Sequence, residues 1–147
     1  MISILKADRI HIPLVVPLFD GYRVFYGQKS DFEAARKFLE ERFKRNESVL
    51  FLALYQGKPV GFTQLYTTFS SASLQSIFIL NDLFVDKAFR KKGIGEALLQ
   101  RAQEHCVKLG YKGLALETET DNPAQKLYER LGWKKDSSWF HYFWTPE

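Results

Sequence analysis

The chain has little of what marks secreted, membrane or metal-binding proteins. It holds one cysteine, Cys106, so no disulfide can form within it, and a reducing, cytoplasmic setting is expected. Cys106 falls inside a helical pattern, where a cysteine behaves as a small core residue. The three histidines, His11, His105 and His141, are scattered without metal-ligand spacing, so no metal site is expected. No apolar run approaches the ~20 residues that cross a bilayer. The opening "MISILKADRIHIP" lacks the apolar segment and cleavage site of a secretory signal. The net charge of +4 is mild and no basic tail carries it, which argues against a nucleic-acid partner and suits a phosphate-bearing ligand. Repeats, linkers and low-complexity tracts are absent.

What is present fits one domain over residues 1–147. The composition is 46% hydrophobic and 26% charged, enough apolar matter for a real core. Aromatic residues reach 16% and cluster in "LFDGYRVFYGQ" and "WFHYFW", so some are expected to line a surface. Leu18, Tyr22, Phe25 and Tyr26 recur at helical spacing. Asp31 caps a second helix whose face is Phe32, Ala35, Phe38, Leu39 and Phe43. "VLFLALYQ" and "VGFTQLYTTF", joined by "GKP", predict an antiparallel hairpin. "LQSIFILNDLFVDK" predicts a long buried strand. Ile94, Leu98, Ala102 and Cys106 then mark a helix that Gly110 ends. "GLALETET" predicts a strand, and "DNPAQKLYERLGW" a short helix capped by Asp121 or Asn122 and closed by Gly132. "SWFHYFWT" predicts a last strand. A right-handed crossover over residues 76–120 makes two neighbouring strands parallel within a sheet that is otherwise antiparallel. The expected class is therefore mixed α/β, with helices on both faces of the sheet.

The chemistry concentrates in "FRKKGIGEALLQRA", residues 89–102. A helix N-terminus leaves backbone N–H groups unpaired and carries partial positive charge. Gly93 and Gly95 remove side chains there, and Arg90, Lys91 and Lys92 stand just before it. Together they form an anion site suited to a pyrophosphate. The G-x-x-x-x-G-K-[ST] phosphate loop is absent. A Rossmann turn is also excluded, because Leu98 occupies its third glycine position. What remains is R-x-x-G-x-G, followed downstream by Asn122 at a helix start and Tyr128 six residues on.

These two linked motifs resemble the acetyl-CoA-binding part of the GNAT N-acetyltransferase superfamily, well over residues 50–136 and more loosely before them. "NDLFVDKAFRKKGIG" and "NPAQKLYERLG" are most similar to the diamine (spermidine/spermine) acetyltransferase-like branch. The resemblance implies a GNAT-like fold with a V-shaped splay between two parallel strands. It implies acetyl-CoA as cosubstrate and a small-molecule amine as acceptor, with homodimers common. By the family pattern, the backbone of Leu83, Phe84 and Val85 pairs with the pantetheine arm. Arg90, Lys91, Lys92, Gly93, Ile94, Gly95 and Glu96 surround the pyrophosphate, and Asn122 bonds the arm near the thioester.

Tyr128 matches a tyrosine that commonly sits near the sulfur and helps the thiolate leave; it also belongs to a helix face with Leu127 and Leu131, where it can simply pack. The diamine branch has a glutamate base where this chain has Asn81, and asparagine cannot serve as a base. Asp82, Glu117 and Glu119 remain as candidates, with Asp82 favoured; strand alternation sets it opposite Asn81 and Leu83. Phe19, Asp20, Tyr22 and Tyr26 fall where this fold builds its acceptor pocket, with Gln64 and Tyr66 as further lining. Core packing is the competing expectation for Phe19 and Phe25. The implied reaction is acetyl transfer to a primary amine such as a polyamine or amino acid. A protein lysine or N-terminal acceptor, or a non-catalytic CoA-binding module, are the alternatives.

Overall fold

A computed structural model of the chain describes residues 1–146, and these fall into two compact units, Met1–Glu117 and the residues from Thr118 onward. In the first unit, strand β1 (Ile2–Lys6) leads through a 3-10 turn at Arg9–His11 into helices α1 (Ile12–Phe25) and α2 (Phe32–Lys44). Strands β2 (Ser48–Tyr55), β3 (Lys58–Ser70) and β4 (Gln75–Val85) follow, then helix α3 (Ile94–Leu109) and the two-residue strand β5 (Leu114–Ala115). The sheet runs in the order β1-β2-β3-β4-β5. All pairings are antiparallel except β4 with β5, which is parallel across the α3 crossover. This is the mixed fold that the motifs imply.

Local signals explain most of these elements. Asp31 accepts a hydrogen bond from Ala34 N at 3.0 Å and starts α2 as a side-chain cap. Gly110 adopts φ +70° and closes α3, while Ile94, Leu98, Ala102 and Cys106 are all buried along one stripe. The β2–β3 turn lies at Gln56 and Gly57, both with positive φ, so the hairpin turns one residue before "GKP" and Lys58 and Pro59 already belong to β3. Strand β1 had no counterpart in the sequence reading. It is five residues long and pairs with β2 some fifty positions away, with Ile2 opposite Tyr55.

The two sheet faces have different partners. Leu50, Leu52 and Phe62 pack with Ile12, Val15, Phe19, Ala35 and Leu39 from α1 and α2. Phe51, on the opposite face of β2, lies against His105 and Arg101 of α3. The α2 face is narrower than its pattern suggests. Ala35 and Leu39 are buried, whereas Phe32 and Phe38 reach the surface. Phe25, expected in the core, is likewise 62% exposed and lies outside the cluster that holds Val15 and Phe19.

The β3–β4 register contains a bulge. Gln64 stands opposite Asp82 and Leu65 opposite Leu80, so Asn81 has no opposite residue. The extra residue sends Leu80 and Asp82 to different faces, and Asp82 joins Gln64 and Phe62 on the α1–α2 side. The parallel ladder between β4 and β5 ends at Ile79 and Ala115. Among the described residues, β4 therefore continues from Leu80 to Val85 without a ladder partner on that side, because β5 is only two residues long.

The second unit contains helix α4 (Gln125–Arg130). Asn122 Oδ1 accepts from Ala124 N at 2.9 Å, so Asn122 fixes the turn ahead of the helix rather than capping it directly. Gly132, at φ +92°, and the Trp133 N–H to Tyr128 carbonyl bond of 3.0 Å close it. The strand expected in "SWFHYFWT" is not formed, and residues 116–120 extend no strand beyond Ala115. A strand needs a neighbour to take up its N–H and C=O groups, and no strand is present among the described residues of this unit. Trp139, Phe140, Tyr142, Phe143 and Trp144 are instead exposed.

Candidate active site

The turn into α3 has the features its sequence suggests. Gly93 is the residue before the helix, with φ +84°, a left-handed conformation that side chains disfavour. No side chain caps the helix, and among the described residues no atom beyond Gly93 and its chain neighbours lies within 4 Å of where its Cβ would be. The main chain is thus approachable from outside at the positive end of a 16-residue helix. Lys91 also has positive φ, at 63°. Arg90 folds back, its Nε donating to the Val85 carbonyl at 3.0 Å and its guanidinium 5.8 Å from the Phe84 ring centre. Lys92 lies 5.5 Å from the Tyr55 ring. These donors fit the pyrophosphate of a CoA thioester, and the free edge of β4 fits its amide-bearing arm. Of the three strand residues expected there, Val85 already has its carbonyl engaged by Arg90.

A second constellation sits on the α1–α2 side of β3 and β4. Asp82 is 1% exposed. Its Oδ2 accepts from Gln64 Nε2 at 2.6 Å, and its Oδ1 accepts from Asn81 Nδ2 at 2.7 Å. Its backbone carbonyl accepts from Thr63 Oγ1 at 2.7 Å. Burial pushes the Asp82 carboxyl up to about 6, against the two amide hydrogen bonds that hold it down. Simple alternation put Asn81 on the opposite face from Asp82. The bulge overturns that expectation, because the Asn81 amide reaches the same carboxylate. Gln64 is fully buried and its Oε1 has no hydrogen-bond partner, so the amide is turned toward Asp82 at some cost.

The remaining predicted residues divide. Tyr22 donates its hydroxyl to the Asn81 carbonyl at 3.1 Å, taking up the main-chain group that the bulge leaves over. Its ring stands 4.9 Å from that of Tyr26 and 6.0 Å from that of Phe62. Tyr66 lies two residues beyond Gln64 on β3. Burial first, and then the Asp82 charge, hold its phenol well above the usual range, while Arg42 pulls the other way. Phe19 is buried in the core. Asp20 is buried and accepts from Ser30 Oγ and Asp31 N, each at 2.7 Å, which ties the α1–α2 connection together. Neither Phe19 nor Asp20 offers a free group to a pocket. Glu117 and Glu119 are exposed and lie beyond the end of β5. In the second unit, Tyr128 is half-buried on α4 with its ring 6.0 Å from that of Trp133.

The sequence did not single out Arg42 or Glu47, and it placed Phe38 only on the apolar face of α2. A groove of about 580 Å³ is lined by Phe38, Arg42, Glu47, Tyr66 and Phe69, among others. Arg42 stacks over Phe38 at 4.6 Å, and its Nε donates to Glu47 at 2.9 Å. The usable signal was the i, i+4 spacing of Phe38 and Arg42 on α2, which sets an aromatic ring beneath a guanidinium.

Comparison with known proteins agrees with this fold. The model of the Acetyltransferase (GNAT) family matches residues 15–133. The chain is 44% identical over 141 residues to an uncharacterized N-acetyltransferase, YhfO, of Bacillus subtilis, covering 95% of each. It is 35% identical over 140 residues to a probable acetyltransferase of Haemophilus influenzae, covering 86% of this chain and 96% of the relative. The crystal structure of a probable acetyltransferase superposes with a TM-score of 0.92 at 39% identity, over 99% of this chain and 98% of the other. The chain belongs to the GNAT family and is an acetyltransferase. Members of this family use acetyl-CoA.

Proposed function

We propose that the protein transfers an acetyl group from acetyl-CoA to the primary amine of a small molecule, with Asp82 as the base. The observation that carries this reading is the buried Asp82 carboxylate held by two carboxamides. The aromatic and polar lining of the groove beside Tyr66 supports a small acceptor.

An alkylammonium has a pKa of ~10.4, so freeing its lone pair at neutral pH costs roughly 4–5 kcal/mol. A carboxylate at about 6 is a better acceptor for that proton than one at the ordinary 3.8. The gain is roughly 3 kcal/mol at ~1.4 kcal/mol per unit. Asp82 is still mostly ionised at neutral pH, so it is both available and basic enough to act. Bound acetyl-CoA supplies the acetyl group as a thioester. Leu83 and Phe84 present the β4 edge to its arm, and the main chain from Arg90 to Glu96 receives its pyrophosphate. The motif run that carries the family resemblance assigns Asn122 to the arm and Tyr128 to a hydrogen bond with the departing sulfur. A phenol at ~10 beside a thiol at ~8.5 favours sharing that proton over giving it up. Tyr22, Tyr26, Gln64 and Tyr66 form the acceptor side, with Phe19 and Asp20 as its scaffold.

The likeness to the diamine-acetyltransferase branch rests on two motif runs. Asn81 stands where that branch has its base, so the role moves one residue to Asp82, and a polyamine is one acceptor among several. The family match from α1 to beyond α4 supports one catalytic domain. The exposed aromatic run from Trp139 to Trp144 supports a homodimer. Thiol release on mixing acetyl-CoA with a panel of primary amines tests the reading, together with Tyr128→Phe. Turnover of at least one small amine is expected. Tyr128→Phe should slow the reaction ~10- to 100-fold while retaining CoA affinity. Silence across polyamines, amino acids and aminoglycosides contradicts the reading.

A further inference from the structure

The groove beside Tyr66 is not built like a site for a second ammonium. Its charged residues on the wall are Arg42 and Glu47, joined by the 2.9 Å bond from Arg42 Nε. The Arg42 side chain is only 25% exposed. Its guanidinium is fixed from below by the Phe38 ring, at 4.6 Å. Phe38 is in turn stacked on the core residue Phe19, at 5.8 Å between ring centres. Glu47 holds one edge of the guanidinium and orients the rest. Among the described residues, none accepts from the two Nη groups. A planar fork held in place with its terminal donors uncommitted is the geometry that binds carboxylates.

Arg42 also shares a neighbour with Asp82. Tyr66 lines the groove with Arg42, and its phenol feels both the Asp82 carboxylate and the Arg42 guanidinium. Gln64, two residues before Tyr66 on β3, is bonded to Asp82, so the proton acceptor and the guanidinium flank the same stretch of β3. A polyamine reaching along this wall would bring its distal ammonium toward a guanidinium.

We infer that Arg42 is a specificity residue that receives the carboxylate of the acceptor, so the substrate is a primary amine bearing a carboxylate, of the amino-acid class, rather than a polyamine. The inference rests on the proposed acceptor role of the Asp82 face. Tyr66, Phe38 and Phe69 pack along the carbon chain between the two ends, and Glu47 keeps the fork aligned.

Matched pairs of acceptors test it. Thiol release from acetyl-CoA is measured with 5-aminopentanoate against pentylamine, and with lysine against 1,5-diaminopentane. The acid-bearing member should have a kcat/KM at least ~10-fold higher, which is about 1.4 kcal/mol. Arg42→Met keeps the apolar stem over Phe38 and removes the fork. It should bring the ratio toward one by raising KM for the acid, and Arg42→Lys should restore only part of the preference. A melting curve of each variant shows that it is folded. Plain amines turned over as well as the acids, or a preference that survives Arg42→Met, overturn this inference and leave the acceptor face intact. No turnover of any amine overturns the reading of that face, and this inference with it.

Discussion

Gln64 Nε2 donates to Asp82 Oδ2 at 2.6 Å across the β3–β4 pair, beside the bulge at Asn81. The bond is charge-assisted, buried and directional, and it favours the ionised carboxylate. Removing it should raise the Asp82 pKa above its value of about 6. Hydrogen bonds to charged groups are worth ~1.5–3 kcal/mol, and one pKa unit is ~1.4 kcal/mol. In Gln64→Leu, the acidic limb of kcat/KM against pH should move up by about one to two units. Asn81→Ala should move it less, because Asn81 is exposed and water replaces its amide. Profiles of the two variants that superimpose on the unsubstituted enzyme would contradict the assignment.

Asp82 should also cost the fold stability at neutral pH. Its folded value of about 6 lies above the ordinary 3.8, so folding favours the protonated form. The resulting stabilisation is full below ~4 and is lost as pH rises through about 6. Ionised Asp82 then burdens the folded state by up to ~3 kcal/mol. Asp82→Asn should therefore melt higher than the unsubstituted protein at pH 7.5, with the difference shrinking toward pH 4. Calorimetry at the two pH values checks the sign. A lower melting temperature at both would show that the carboxylate is a net stabiliser.

Gly93 couples backbone conformation to ligand access. A β-branched residue at φ +84° is strained by roughly 1–3 kcal/mol. It also puts methyl groups in the open space before α3. Gly93→Val should lower the melting temperature by several degrees and weaken CoA binding at least ~10-fold, as titration calorimetry would show. Unchanged CoA affinity would mean that the cosubstrate does not approach this turn.

The sequence disclosed what is written in local signals. The Asp31 cap, the stripe from Ile94 to Cys106 and the glycines at 93 and 110 each act within a few residues, and all are found as read. Pairings across long stretches of chain were harder to see. β1 looks like an ordinary apolar pentapeptide until β2 lies beside it. The bulge at Asn81 is a property of the β3–β4 register, and no pattern within β4 announces it. That single inserted residue decides which face Asp82 occupies, and it made Asn81 a partner of the carboxylate rather than its opposite. Asp20 misled for a related reason. A carboxylate among aromatics suggests a cation pocket, yet Ser30 and the Asp31 main chain had already claimed it. In "WFHYFW" the aromatic content suggested a strand, but content alone does not provide the neighbouring strand that would pair with it.

The pH dependence of kcat/KM for an accepted amine, in the unsubstituted enzyme and in Asp82→Asn, bears most directly on the mechanism. The unsubstituted enzyme should lose activity as pH falls through about 6, following protonation of Asp82. Asp82→Asn should be slower by ~10²- to 10⁴-fold and should lack that limb, while CoA still raises its melting temperature. An Asp82→Asn enzyme with full activity and the same acidic limb would place the base elsewhere.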